Sequence, residues 1–127
     1  MRWLVDGNNV FGARPDGWWN DRPAAMARFT QRVAEWCRTH TDDVTIVFDQ
    51  PVPERVLILA GGNLSIIPAS RRGRNAADDD IVRLAEEASR EGGGDLTVVT
   101  SDKGLRARLP TGVDVVGAGR FRELVRY

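Results

Sequence analysis

The chain has 127 residues, with 18 Lys and Arg against 18 Asp and Glu and a formal net charge of zero. That length suits a single domain over residues 1–127 with a real core, and the balanced charge lacks the overall basic signature of a nucleic-acid binder. The first apolar run is too short for a signal peptide and no stretch approaches a membrane span, so a soluble, cytoplasmic protein is expected.

Cys37 is the only cysteine and His40 the only histidine, which excludes an internal disulfide, a cysteine zinc site and paired-histidine catalysis. Any chemistry must rest on carboxylates. Cys37 falls in a helical pattern and reads as a small core hydrophobe. His40 reads as a marker of that helix's C-terminus, where a cation is favoured.

In chain order, residues 2–5 read as a first strand, stopped by Asp6-Gly7-Asn8-Asn9, whose residue types suit a tight turn. Residues 23–38 read as a helix with Pro23 at its start and Met26, Phe29, Val33, Ala34 and Trp36 at helical spacing. Val44–Phe48 is a second strand, ending at Asp49. Residues 51–62 are ambiguous, because Val56-Leu57-Ile58-Leu59 fits a strand or a buried helical turn. Leu64–Ile67 is a third strand, and 76–91 a helix ended by Gly92-Gly93-Gly94 as cap and loop. Leu96–Thr100 is a fourth strand, 103–109 a short helix, Val113–Val116 a fifth strand and 119–126 a closing helix.

Apolar, β-branched strands alternating with helices imply an α/β fold whose parallel sheet is covered on both faces. Gly7 stands alone after the first strand, with neither GxGxxG nor a Walker motif, so a dinucleotide or P-loop site is not expected.

Three strands deliver an acid at their carboxyl ends: Asp6, Asp49 and Asp102. In a parallel sheet those ends share one edge, where ligands of open α/β sheets bind. Acids aimed at one crevice repel each other unless protons or a cation intervene, and oxygen-only ligands suit Mg²⁺ or Mn²⁺. A further acidic segment, Asn75-Ala76-Ala77-Asp78-Asp79-Asp80-Ile81, opens a helix. Asn75 suits an N-cap, and acids in a first turn complement the helix dipole. Ala77, Ile81, Leu84, Ala85 and Ala88 define the core-facing stripe, so Asp79 falls opposite it and is expected in solvent. Asp78 and Asp80 flank the stripe, and Val82 widens it toward Asp78, which favours Asp78 as the inward-leaning acid.

Asp6-Gly7-Asn8-Asn9-Val10, Val47-Phe48-Asp49, Ala77-Asp78-Asp79-Asp80-Ile81 and Thr100-Ser101-Asp102, in that order and spacing, resemble the signature segments of NYN domains. These are PIN-like ribonucleases, and the bacterial YacP-like branch is the most similar. The resemblance implies a three-layer α/β/α PIN-like Rossmannoid with parallel strand order 3-2-1-4-5. Strands one and four would then be neighbours, bringing Asp6 and Asp102 together with Asp78. The family's asparagine maps onto Asn9, which would orient Asp6 or contact a water on the metal, and Asp49 would stand beside Asp6 as an outer acid. The implied activity is metal-dependent endonucleolytic cleavage of single-stranded RNA. Asp6, Asp78 and Asp102 would hold one or two Mg²⁺ or Mn²⁺ ions, which activate water and stabilise the leaving oxygen. Lys103-Gly104 follows where many PIN-like domains add an acid, which disfavours a strong second ion.

Around this centre, Arg71, Arg72, Arg74 and Lys103 are candidate phosphate contacts, against the alternative of a solvated loop balancing the acids. Thr100 and Ser101 fit either a phosphate oxygen or a cap on the next helix, and Trp18-Trp19 either base stacking or packing on the domain. Rival readings are a silent RNA-binding or interaction module, a hydrolase of DNA or small phosphoesters, and a receiver domain phosphorylated on Asp49. The last wants an acidic pair after strand one, where only Asp6 stands. The sequence leaves open which of Asp78, Asp79 and Asp80 is the ligand, with Asp49, Asp79 and Ser101 as secondary site candidates; it also leaves open the RNA target, whether a ribosome or another protein presents it, and whether the chain is a monomer or homodimer.

Overall fold

The computed structural model describes residues 1–92 and 95–127. Its elements run β1 (Arg2–Asp6), α1 (Gly7–Gly12), a 3-10 turn (Trp18–Asn20), α2 (Arg22–Arg38), β2 (Asp43–Phe48), α3 (Glu54–Leu57), β3 (Leu64–Pro68), α4 (Ala76–Arg90), β4 (Leu96–Val99), α5 (Lys103–Arg108), β5 (Asp114–Val116) and α6 (Ala118–Val125). The strands form one five-stranded sheet in the order β3-β2-β1-β4-β5, with every neighbour parallel. This is the expected α/β/α arrangement and strand order.

Alternation along each strand sorts side chains into two apolar layers, as a period of two requires. Val5, Val44, Ile46, Phe48 and Val99 join Val10, Phe11, Phe29, Val33 and Phe121 beneath α1, α2 and α6. Leu4, Val47, Leu96 and Val98 join Ala77, Ile81, Ala85 and Leu105 beneath α4 and α5. Cys37 is buried in the first layer, where burial pushes its thiol up to about 11, as a core hydrophobe would behave. His40 lies just beyond the last turn of α2 and stacks on Trp36 with ring centroids 3.9 Å apart.

Two local expectations change. Asp6-Gly7-Asn8-Asn9 is no turn: β1 passes directly into α1 at Gly7. Packing overrides propensity here, because α1 lies flat on β2. A Cβ at Gly7 would overlap the buried ring of Phe48 and stand 2.8 Å from Ile46 Cγ2. The ambiguous 51–62 segment contains only a four-residue helix, which buries Val56 and leaves Leu57 and Ile58 exposed. After α4, Gly92 takes φ +75° in the loop; Gly93 and Gly94, read as part of the same stop signal, lie outside the described residues.

Gly7→Ala should therefore destabilise the protein by roughly 1–3 kcal/mol in urea unfolding, despite alanine's better helix propensity. An unchanged midpoint would show that α1 does not depend on this close approach.

Candidate functional site at the carboxyl edge of the sheet

The register places the acids. Val5 pairs with Val99, which sets Asp6 opposite Thr100 at the next position. Asp6 also pairs with Val47 of β2, two residues before Asp49. Asp6 is 4% exposed, and its Oδ2 accepts a 2.9 Å hydrogen bond from Thr100 Oγ1. The same Thr100 oxygen accepts the Asp102 N–H at 3.1 Å, so one buried hydroxyl ties the two strand-end acids together.

Asp102 N-caps α5: its Oδ1 accepts from Gly104 N at 2.8 Å and Leu105 N at 3.1 Å. Asp49 reaches the opposite way. Its Oδ1 accepts the Ala77 N–H at 3.0 Å, at the start of α4. Its own N–H donates to Asn8 Oδ1 at 2.7 Å. Asp78 stands in the first turn of α4, half-buried.

The electrostatics bring these four acids into one field. Burial pushes the Asp6 carboxyl from its ordinary 3.8 up to about 7; the Thr100 bond works against this, and Asp78, Asp49 and Asp102 add to it by repulsion. Burial also raises Asp78, followed by repulsion from Asp102 and Asp49. Crowded carboxylates of this kind hold protons or a cation. Among the described residues, however, no three His, Cys, Asp or Glu side chains converge as they stand into a ready ligand set. The fit to a divalent ion is one of donor type and charge: hard oxygens without sulfur or nitrogen competitors.

The other two acids of the triplet face elsewhere, and the expected order of burial is reversed: Asp80, not Asp78, is the more deeply buried acid, because Ser70 and Arg83 satisfy its carboxylate. Asp79 is exposed and ion-paired to Arg71 and to Arg108, the latter at 2.8 Å, and these bonds hold it below the ordinary carboxylate range. Its carboxylate is turned to these arginines, although its charge still adds to the repulsion that raises Asp78. Asp80 is 3% exposed and accepts from Ser70 N at 2.7 Å, Ser70 Oγ at 2.8 Å and Arg83 at 3.2 Å. Burial opposes its ionisation, but the Ser70 and Arg83 bonds outweigh it and hold its carboxyl low. Asp80 thus pins the chain leaving β3.

Several expected roles are exchanged among neighbours. Asn9 makes no bond to Asp6; its Oδ1 accepts the Ser101 N–H at 2.8 Å, and Thr100 is the residue that orients Asp6. Neither Thr100 nor Ser101 caps α5, since Asp102 does so itself. Ser101 Oγ instead accepts the Ala118 N–H at 2.8 Å, at the start of α6. Asn75 occupies the N-cap position of α4 at φ 61° but makes no side-chain cap bond, and Asp49 supplies the cap from another strand. The motif leaves Asn8 as a variable position, although an amide beside the motif asparagine is the available signal for its role. Nothing in the sequence pattern points to Arg108.

The basic candidates divide. Arg71 is engaged by Asp79, as the charge-balancing alternative requires. Arg72, Arg74 and Lys103 are exposed and in no ion pair among the described residues. Trp18 packs edge-on against Phe11, with centroids 5.8 Å apart, while Trp19 is 60% exposed. A cavity of about 440 Å³ sits elsewhere, among Arg32, Trp36, His40 and Leu124. Ser101, Asp102 and Lys103 are exposed.

The raised Asp6 carboxyl has a signed consequence. The folded state keeps a proton that the unfolded chain releases, so without divalent ions stability should fall as pH rises from about 4 to about 7. The bonds that lower Asp79 and Asp80 act in the opposite sense, but only below the ordinary carboxylate range. Asp6→Asn should flatten the decline and stabilise the protein at neutral pH by a few kcal/mol, since each tenfold change in proton affinity is worth roughly 1.4 kcal/mol. A wild type whose urea midpoint is flat or rising across that window would contradict this picture.

No family model matches the chain, and no curated protein matches it. Among solved structures it is similar to Rae1 (YacP) from Bacillus subtilis, at 24% identity and a TM-score of 0.74, over 99% of this chain and 74% of that one. A tryptophan-to-leucine mutant of the same Bacillus subtilis protein gives 25% identity and a TM-score of 0.75, over 98% and 74% of the two chains. The described sheet and its helices are thus those of a YacP-like fold.

Proposed function

We propose that this chain is a metal-dependent endoribonuclease that hydrolyses phosphodiester bonds of single-stranded RNA. The observation that carries the reading is the four-acid edge, where a nearly buried Asp6 shares one field with Asp49, Asp78 and Asp102. The likeness to Rae1 (YacP) and the resemblance of the motifs to NYN domains support it. So does the exposure of Ser101, Asp102 and Lys103 beside the buried Asp6, which leaves them free to meet a substrate.

Asp6, Asp78 and Asp102 would hold Mg²⁺ or Mn²⁺. When bound, such an ion polarises phosphoryl oxygens and lowers the pKa of water at the site. The chain's own groups do the rest. Thr100 fixes the carboxylate of Asp6 from one side and the backbone of Asp102 from the other. The cap bonds of Asp102 occupy Oδ1 and leave Oδ2 for a ligand. Ser101 and Asn9 lock the β4–α5 connection beside it. Arg72, Arg74 and Lys103, exposed around the edge, would contact backbone phosphates, which position RNA without reading its sequence.

Labelled single-stranded RNA should be cut with Mn²⁺ or Mg²⁺ and left intact in EDTA. Asp6→Asn, Asp78→Asn and Asp102→Asn, each keeping shape while removing charge, should lower the rate by about 100-fold or more, the several kcal/mol that metal assistance supplies. Equal cleavage of DNA or nucleotides in the same assay would favour a broader phosphoesterase. A folded wild type that binds the ion but leaves free RNA intact would direct the test to RNA presented by a ribosome or another protein. Cleavage that persists in EDTA or in the Asn variants would overturn the proposal.

A further inference from the structure

We infer that Asp49 is a positioning residue: through the relay Asn8–Asp49–Ala77 it fixes the first turn of α4, and with it Asp78, against the end of β1. The inference rests on the carboxylate-site reading above and assigns Asp49 a task that needs an acceptor oxygen but no charge.

Each end of the relay is specific. In α2 and α5 the cap comes from the preceding residue: Asp21 accepts from Ala24 N at 3.1 Å, and Asp102 accepts from Gly104 and Leu105. At α4 the preceding residue, Asn75, makes no such bond, and the helix is capped from 28 positions away by Asp49. The segment entering α4, Arg71 to Asn75, is exposed throughout. Burial of Ala76 and Ala77 and the Ser70–Asp80 bonds hold the start of α4 on the sheet, but they leave the Ala77 N–H to Asp49. The bond from the sheet edge to Ala77 N adds a restraint on the backbone directly before Asp78.

Asn8 secures the other end. It takes the Asp49 N–H while leaving its own Nδ2 buried with no partner among the described residues. An amide that gives up one buried donor to satisfy another N–H contributes little net stability, so its effect is chiefly on the placement of Asp49. Asp49 Oδ1 is committed to the α4 backbone, and an amide oxygen can make the same bond. That separates positioning from ligation, because Asp49→Asn keeps the acceptor and loses the charge.

The experiment compares wild type, Asp49→Ala, Asp49→Asn and Asn8→Ala by Mn²⁺ titration calorimetry and by amide exchange at Ala77. Asp49→Ala should speed Ala77 exchange about tenfold or more and weaken Mn²⁺ binding by about 10-fold, in the range seen when groups supporting a ligand are removed. Asp49→Asn should restore both to within about threefold, the remainder being one lost charge near the site. Asn8→Ala should move Ala77 exchange in the same direction, and serves if Asp49→Ala does not fold. Asp21→Ala, which removes the α2 cap, should lower stability without changing Mn²⁺ affinity, so a general loss of helix stability cannot imitate the result. The inference is overturned if Asp49→Asn loses Mn²⁺ as fully as Asp49→Ala while Ala77 stays protected, since Asp49 is then a ligand. It is equally overturned if Ala77 exchange ignores Asp49→Ala. A wild type that binds no Mn²⁺ would sink the carboxylate-site reading, and the exchange measurement alone would then decide the relay.

Discussion

The hydrogen bond from Thr100 to Asp6 sits where the demands of folding and of chemistry meet. Asp6 ends the central strand, nearly inaccessible to water, with three other acids in its field. A carboxylate so placed is expensive to keep ionised. One hydroxyl bond offsets part of that cost, and no cation is paired with Asp6 among the described residues. The balance is either a proton, at the expense of the charge, or a bound divalent ion, which restores it. The neighbouring geometry makes sense as an effort to hold that uncomfortable group still.

The holding is done by side chains that cross between segments. Within two turns of chain, Asp6 meets Thr100, Asn8 takes the Asp49 N–H and Asn9 takes the Ser101 N–H. Thus one short stretch after β1 fastens the ends of both its neighbours, β2 and β4. From there Asp49 and Ser101 pass the restraint to the starts of α4 and α6, while Asp102 caps α5. Parallel strands and right-handed crossovers bring these ends to one edge in any fold of this type. At this edge polar side chains are spent on backbone N–H groups, and Asp49 and Asp102 each use one carboxylate oxygen. Asp49 and Asp102 each keep a second oxygen.

Much of this is legible in the sequence because it follows from local pattern. β-branched runs such as Val44–Phe48 and Leu96–Val99 mark the strands, and the 3.6-residue stripe of α4 puts Asp79 in solvent. What escapes depends on contacts far apart in the chain. Asp6-Gly7-Asn8-Asn9 has turn propensities, and only the Phe48 ring under Gly7 explains why the chain coils into α1 instead. Asn75 looks like a cap, yet the cap is Asp49, chosen by the fold and invisible to any window around α4. Asp80 flanks the apolar stripe much as Asp78 does, but Ser70 claims it. Spacing can name the acids; partners decide which of them face one another.

Burial and the neighbouring acids raise the Asp6 carboxyl to about 7, so it is only partly ionised near neutrality, and on the proposed reading a divalent ion would displace its proton. A carboxyl-carbon NMR titration of wild-type protein, with and without Mg²⁺, reads this directly. The expected Asp6 midpoint is near 7 in EDTA and moves down toward the ordinary carboxylate range when Mg²⁺ is added. An Asp6 that titrates near 4 without metal, or one whose raised midpoint ignores saturating Mg²⁺, would contradict it.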